Sequence, residues 1–187
     1  MKKKEKIIVL LSGGMDSATL LWLAKKEFED VYAISFSYGQ KHSIELEYAK
    51  ELAKIANVKE HFIVEVPHLK QMKGNALTDN DLEIPSENYP DDPPITTVPM
   101  RNLIFLSIAA SFADVYEIEN IGIGIHSVDA PYPDCRAEFA SSVEAAINAS
   151  SVMVAKKKNR IKVYTPFLGM TKIDIAKLGK DLGVPYD

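Results

Sequence analysis

Residues 7–11 form an unbroken apolar run, rich in branched side chains, that stops at Ser12-Gly13-Gly14. A run without polar alternation predicts a strand covered on both faces, as in a parallel sheet. Over residues 18–28 the spacing becomes helical, with Leu20, Leu21, Ala24 and Phe28 on one face. Asp16 or Ser17 stands where that helix needs an N-cap. The pattern then predicts a strand over 31–36, a helix over 43–57 with Ile44, Tyr48, Leu52 and Ile55 on one stripe, and a strand over 60–66. Residues 101–116 are the most apolar helix. Strands over 121–125 and 161–164 flank a helix over 138–149. Thr171-Lys172-Ile173-Asp174 has capping-box form and opens a last helix ending near residue 182. Strands alternating with helices imply right-handed crossovers. The expected fold is α/β: a five-stranded parallel sheet with helices on both faces, Rossmann-like, in a single domain over 1–187.

Residues 67–99 break this rhythm. They hold six of the ten prolines, several acids and little apolar periodicity. A long irregular stretch inside a compact domain is expected to be either a lid over a site or a disordered segment.

Composition narrows the class. The 187 residues are 47% apolar and 26% charged, an ordinary globular balance. The net charge of −4 argues against a general nucleic-acid or membrane-surface binder. No apolar run is long enough to span a bilayer, and 7–11 is too short for a signal core. Cys135 is the single cysteine, so no internal disulfide forms, and a reducing cytoplasm is the expected location.

The chemistry gathers where predicted strands end. A strand feeding two glycines and then a helix start aims several N–H groups and the positive end of a helix dipole at one spot, which suits phosphate. No Gly-Lys-Ser/Thr closes the loop, and its glycines do not follow G-x-G-x-x-G. Ser35, Phe36, Ser37, Tyr38 and Gln40 follow the second strand. Arg101 opens the apolar helix, where a cation is electrostatically misplaced unless it meets an acid or an anionic ligand. Asp129, Tyr132, Asp134, Cys135 and Arg136 lie in a proline-stiffened loop after the fourth strand. No paired base marks Cys135 as a nucleophile, and His126 reads as a satisfied polar residue. Lys172, at the start of the last helix, has the reach to meet a phosphate or to lie exposed.

The string SGGMDS (12–17) resembles the SGGxDS signature of the PP-loop ATP pyrophosphatases. FSYGQKHSIEL (36–46), NALT (75–78), VPMRN (98–102), GIHSVDAPYPDCRAEF (124–139) and TPFLGMTKIDI (165–175) narrow the resemblance to that superfamily's 7-cyano-7-deazaguanine synthase branch, in the same order and over most of the chain. SGGMDS is a superfamily mark; YPDCR with VPMRN and YGQKH is far more specific.

The resemblance implies an adenine-nucleotide-hydrolase-like sheet and a ligase that uses ATP and Mg2+ to convert 7-carboxy-7-deazaguanine and ammonia into the nitrile preQ0. ATP is cleaved to AMP and pyrophosphate. It implies catalytic roles for Asp16, Arg101 and Lys172. The nucleotide is expected at Leu11, Ser12, Gly13, Gly14, Met15, Asp16, Ser17, Ser35, Phe36, Ser37, Gln40, Arg101, Asn102 and Lys172. Substrate contacts are expected from Tyr38, Asp129, Tyr132, Asp134 and Arg136, with either Asp129 or Asp134 reading the base edge. A homodimer is expected, with no direct contact to nucleic acid or membrane. Members of this branch carry a zinc site of closely spaced cysteines after the domain. This chain stops at Asp187 without them, so no metal ligand is assigned here; either the sequence is a fragment lacking that tail, which is the expectation, or this member has lost the site. The competing readings are a tRNA-modifying PP-loop ligase, which calls for a basic face or a catalytic cysteine pair, and a non-enzymatic nucleotide sensor, which has no use for YPDCR.

Overall fold

The structure is a computed structural model; it describes residues 3–38, 44–71, 98–126, 132–156 and 158–186. Five strands, β1 (Lys3–Leu10), β2 (Phe28–Ser37), β3 (His61–Glu65), β4 (Asn120–Gly122) and β5 (Lys162–Tyr164), form one sheet in the order β3-β2-β1-β4-β5. Every pairing is parallel. The chain winds outward from β1 to β3, then returns to place β4 against the other side of β1. The crevice at the carboxyl ends of β1 and β4 is therefore the switch point where open α/β sheets bind ligands.

Among the described residues, six α-helices cover the sheet: α1 (Met15–Glu27), α2 (Ile44–Ile55), α3 (Arg101–Tyr116), α4 (Ala137–Ser150), α5 (Val152–Ala155) and α6 (Lys172–Leu182). Ile7, Val9 and Leu11 face one core with α1, α2 and α6; Ile8 and Leu10 face the other with α3, α4 and α5. Burial on both faces is what the unbroken apolar run demands.

Three local expectations change. β2 begins at Phe28, directly after α1, because the fully buried Phe28 ring packs edge-on against Tyr164 with centroids 5.4 Å apart. Of the expected α2 stripe, Ile44, Tyr48 and Ile55 are exposed, at 56%, 48% and 61%, while Leu52 is buried as expected, together with Ala49 and Ala53. The single-turn helix α5 has no apolar period long enough to read. Its N-terminus is held from outside, by Asp114 accepting from the Ser151 hydroxyl and from the Val152 and Met153 amides at 3.0 and 2.9 Å. Thr171 does form the capping box with Asp174, and the two bonds measure 3.2 and 3.0 Å.

Most of the 67–99 stretch lies outside the described residues, as do Gln40, Asp129 and the NALT string. Among the described residues, no helix is long and apolar enough to cross a membrane.

Candidate active site

The glycine loop is shaped by a close approach. Gly13 has φ +92°, and a Cβ there would sit 2.1 Å from the Glu45 carbonyl oxygen at the start of α2. Only glycine fits. Gly14 has φ −79° and space for a methyl, with Ser12 Oγ at 3.5 Å, so the pair does not share one role. Gly14 is the N-cap of α1 without a side-chain cap, in place of the expected Asp16 or Ser17. Ser17 works across the bend instead: its hydroxyl donates to the Gly14 carbonyl at 2.9 Å, and its Oγ accepts the Ser12 amide at 3.1 Å. The Met15, Asp16 and Ser17 amides open the helix, where no intrahelical acceptor exists.

This loop borders a cavity of about 370 Å³ at the switch point. β1 and the loop supply Leu10, Leu11, Ser12, Asp16 and Ser17; β2 and its exit supply Ser35, Phe36 and Tyr38. The start of α3 adds Arg101, Asn102 and Phe105, and the segments after β4 add Ile123, Gly124, Ile125, Tyr132 and Cys135. Glu45 and Leu46 complete the wall. Residues distant in the chain converge because each follows the carboxyl end of a parallel strand.

Ser35 is buried (1% exposed) and binds in two directions, donating to the Leu11 carbonyl at 2.5 Å and meeting His61 Nε2 at 2.7 Å. It ties β2 to the start of the loop. Burial, followed by the Lys50 charge, holds the His61 pKa below its ordinary 6.5, so neutral imidazole is the partner. Phe36 stacks on Phe105 with centroids 4.1 Å apart and planes 3° from parallel; Tyr38 leans on the same ring at 5.4 Å. Phe105 reads in the sequence as plain core, and only packing reveals it as a wall.

Asp16 faces His126, whose side chain is 1% exposed, at 3.4 Å between Oδ2 and Nε2. The other Asp16 oxygen, Oδ1, is buried with no hydrogen-bond partner. An orphaned carboxylate oxygen beside this glycine loop has the chemistry of a magnesium ligand. Among the described residues no cluster of three or more His, Cys, Asp or Glu is placed to hold a metal ion.

Other expected residues lie off the cavity wall. Gly13, Gly14, Met15, Ser37, Asp134, Arg136 and Lys172 do not line it. Lys172 is the exposed first residue of α6. Arg136 is the exposed N-cap residue of α4. Asp134 Oδ2 accepts the Asn102 amide at 3.0 Å.

A parallel sheet in this order, with a glycine loop opening α1 at its switch point, defines an α/β protein of the Rossmann-like, PP-loop fold class. Solved structures share the fold: an NMN synthetase from Francisella tularensis (TM-score 0.59, 19% identical, covering 97% of this chain and 63% of that one). A second is an NH3-dependent NAD synthetase from Campylobacter jejuni (TM-score 0.59, 18% identical, 98% and 66%). The chain belongs to the family described as queuosine biosynthesis protein QueC, whose model matches residues 6–187. Similar proteins named 7-cyano-7-deazaguanine synthase occur in Sulfurihydrogenibium sp. (85% identical, 100% of this chain and 84% of that one) and Persephonella marina (74%, 100% and 82%). Another is found in Aquifex aeolicus (66%, 100% and 86%).

Proposed function

We propose that this chain is an ATP-dependent carbon–nitrogen ligase that makes 7-cyano-7-deazaguanine from 7-carboxy-7-deazaguanine and ammonia. The observation that carries the reading is one cavity walled by the SGGMDS loop, the Arg101 helix start and the Tyr132–Cys135 turn, in a chain of the QueC family.

A carboxylate is a poor acyl donor until one oxygen becomes a leaving group. The substrate carboxylate attacks the α-phosphorus of ATP, expelling pyrophosphate and giving an acyl-adenylate. Ammonia adds to the acyl carbon and AMP leaves, which yields the amide. The amide oxygen attacks a second ATP in the same way, and loss of AMP with a proton leaves the nitrile. Each activation builds charge on departing pyrophosphate. Donors already aimed at that charge lower the barrier, because they need no reorganisation. The α1 amides and Arg101 are the donors we assign; Lys172, which lies off the cavity wall, would have to reach in from the start of α6. Asp16 would hold a magnesium ion, which when bound neutralises phosphate charge. Phe36, beside buried Ser35, offers a face for adenine. Tyr132 offers one for the deazaguanine, and Arg136 is the cation assigned to its carboxylate, in bidentate geometry. Ammonia as nitrogen donor, a homodimeric assembly and cytoplasmic action belong to the same proposal.

The test is mass spectrometry after incubation with ATP, magnesium, ammonia and 7-carboxy-7-deazaguanine. Formation of the nitrile with two AMP per product supports the reading. Pyrophosphate release with a different acceptor, and none with this one, redirects it to another PP-loop ligase. ATP binding without any turnover favours a sensor.

A further inference from the structure

We infer that Asp134 is a positioning residue that acts through α3, and that it does not read the substrate base. Its Oδ2 accepts the Asn102 backbone amide at 3.0 Å. Asn102 returns the contact: its Nδ2 donates to the Asp134 carbonyl at 3.0 Å and to Cys135 Sγ at 3.3 Å. Three bonds spanning 32 or 33 residues of sequence thus lock the 133–135 turn onto the second residue of α3.

The two ends of the lock differ in what they face. Asn102 is 8% exposed and, with its neighbour Arg101, lines the cavity. In the turn, Tyr132 and Cys135 line the cavity on either side of Asp134, while Asp134 does not. Its carboxylate is spent on a helix N-terminus, where an anion is favoured by the dipole and by an otherwise unsatisfied amide.

That helix start lacks any cap of its own. The N-cap residue is Met100, which has φ +56° and no side-chain cap bond. A left-handed non-glycine residue persists only where its surroundings hold it. Asp134 supplies an outside anchor, and so sets where Arg101 and Tyr132 stand relative to one another. This inference rests on the proposed ligase reading for its kinetic arm and is independent of it for its binding arm.

The substitutions that decide it are Asp134→Asn and Asp134→Ala. An asparagine oxygen still accepts the Asn102 amide, but it offers one acceptor and one donor where a guanine-like edge requires two acceptors. For a positioning role, Asp134→Asn keeps kcat/KM for both ATP and 7-carboxy-7-deazaguanine within about threefold, while Asp134→Ala lowers both by about tenfold or more. In the binding arm, calorimetry with magnesium and a non-hydrolysable ATP analogue shows weaker binding for Asp134→Ala and unchanged binding for Asp134→Asn. If Asp134→Asn raises the deazaguanine KM as much as Asp134→Ala does, with analogue binding intact in both, the inference is overturned. Should Asp134→Ala fail to fold, Asp134→Ser, whose hydroxyl is a shorter acceptor, takes its place. With an inactive wild-type chain the binding arm decides the inference, since analogue binding still separates the variants.

Discussion

Asp16 and His126 face each other at 3.4 Å, Oδ2 to Nε2, across the junction of β1 and β4. Gly124, at the β4 exit, lies against the α1 backbone; a Cβ there would make an ordinary contact, 3.5 Å from the Asp16 carbonyl. The free-standing Oδ1 makes Asp16 a costly residue for the fold and a useful one for chemistry. Asp16→Asn should therefore cut turnover by about 100-fold while the melting temperature stays level or rises, as at sites where function strains stability. Steady-state kinetics and thermal denaturation of the same preparation check this; a lower melting temperature with intact turnover contradicts it.

The two loop glycines should part company. Gly13→Ala combines a positive φ with a Cβ 2.1 Å from the Glu45 carbonyl, and should cost about 2 kcal/mol or more in urea unfolding. Gly14→Ala meets only an ordinary contact with Ser12 Oγ at 3.5 Å, so its unfolding midpoint should stay near that of the parent.

Asp114 should give stability an acid-sensitive component. Burial pushes its carboxyl up, but hydrogen bonds from Ser151, Met153 and Val152, with the Lys156 charge, hold it below the ordinary 3.8. A depressed carboxyl contributes stability above its unfolded value and loses it as pH falls through the folded one. Asp114→Ala should cost about 1 kcal/mol at neutral pH, as for a lost helix cap. The gap between variant and parent should close below pH 3.8. Urea titrations between neutral pH and that range measure it.

Gly179 marks a fourth site. A Cβ there would fall 1.5 Å from the Tyr186 hydroxyl, which bonds Thr19 Oγ1 at 2.6 Å; Thr19 in turn donates to the Met15 carbonyl at 2.9 Å. Gly179→Ala should expel the Tyr186 ring and lower the melting temperature, whereas Tyr186→Phe, which keeps the ring and loses one bond, should cost about 1 kcal/mol. Limited proteolysis near residue 186 should follow the first substitution and not the second.

The outline of the fold was legible along the chain. Residues 7–11 have no polar position, so a strand buried on both faces was their only stable use. The Arg101 helix begins and ends where its apolar content and flanking Pro99 place it. The face of α2 was misread for a physical reason. Hydrophobic spacing groups Ile44, Tyr48 and Ile55 with Leu52, of which only Leu52 is buried; α2 starts so near Gly13 that a Cβ on that glycine would also lie 3.1 Å from the Ala49 amide. Close packing selected Ala49 and Ala53 over larger apolar side chains.

The sequence by itself determined the alternation of strands and helices, the glycine loop that opens α1 and the capping box of α6, because each depends on neighbours within a few residues. It also carried the family motifs around Asp16, Arg101 and Tyr132. Only the tertiary structure decided that Asp134 turns to Asn102, that His126 meets Asp16, that Phe105 becomes a cavity wall and that Lys172 stays off it. Those outcomes depend on which side chains meet after parallel strands bring distant segments together, and no local pattern encodes such a meeting.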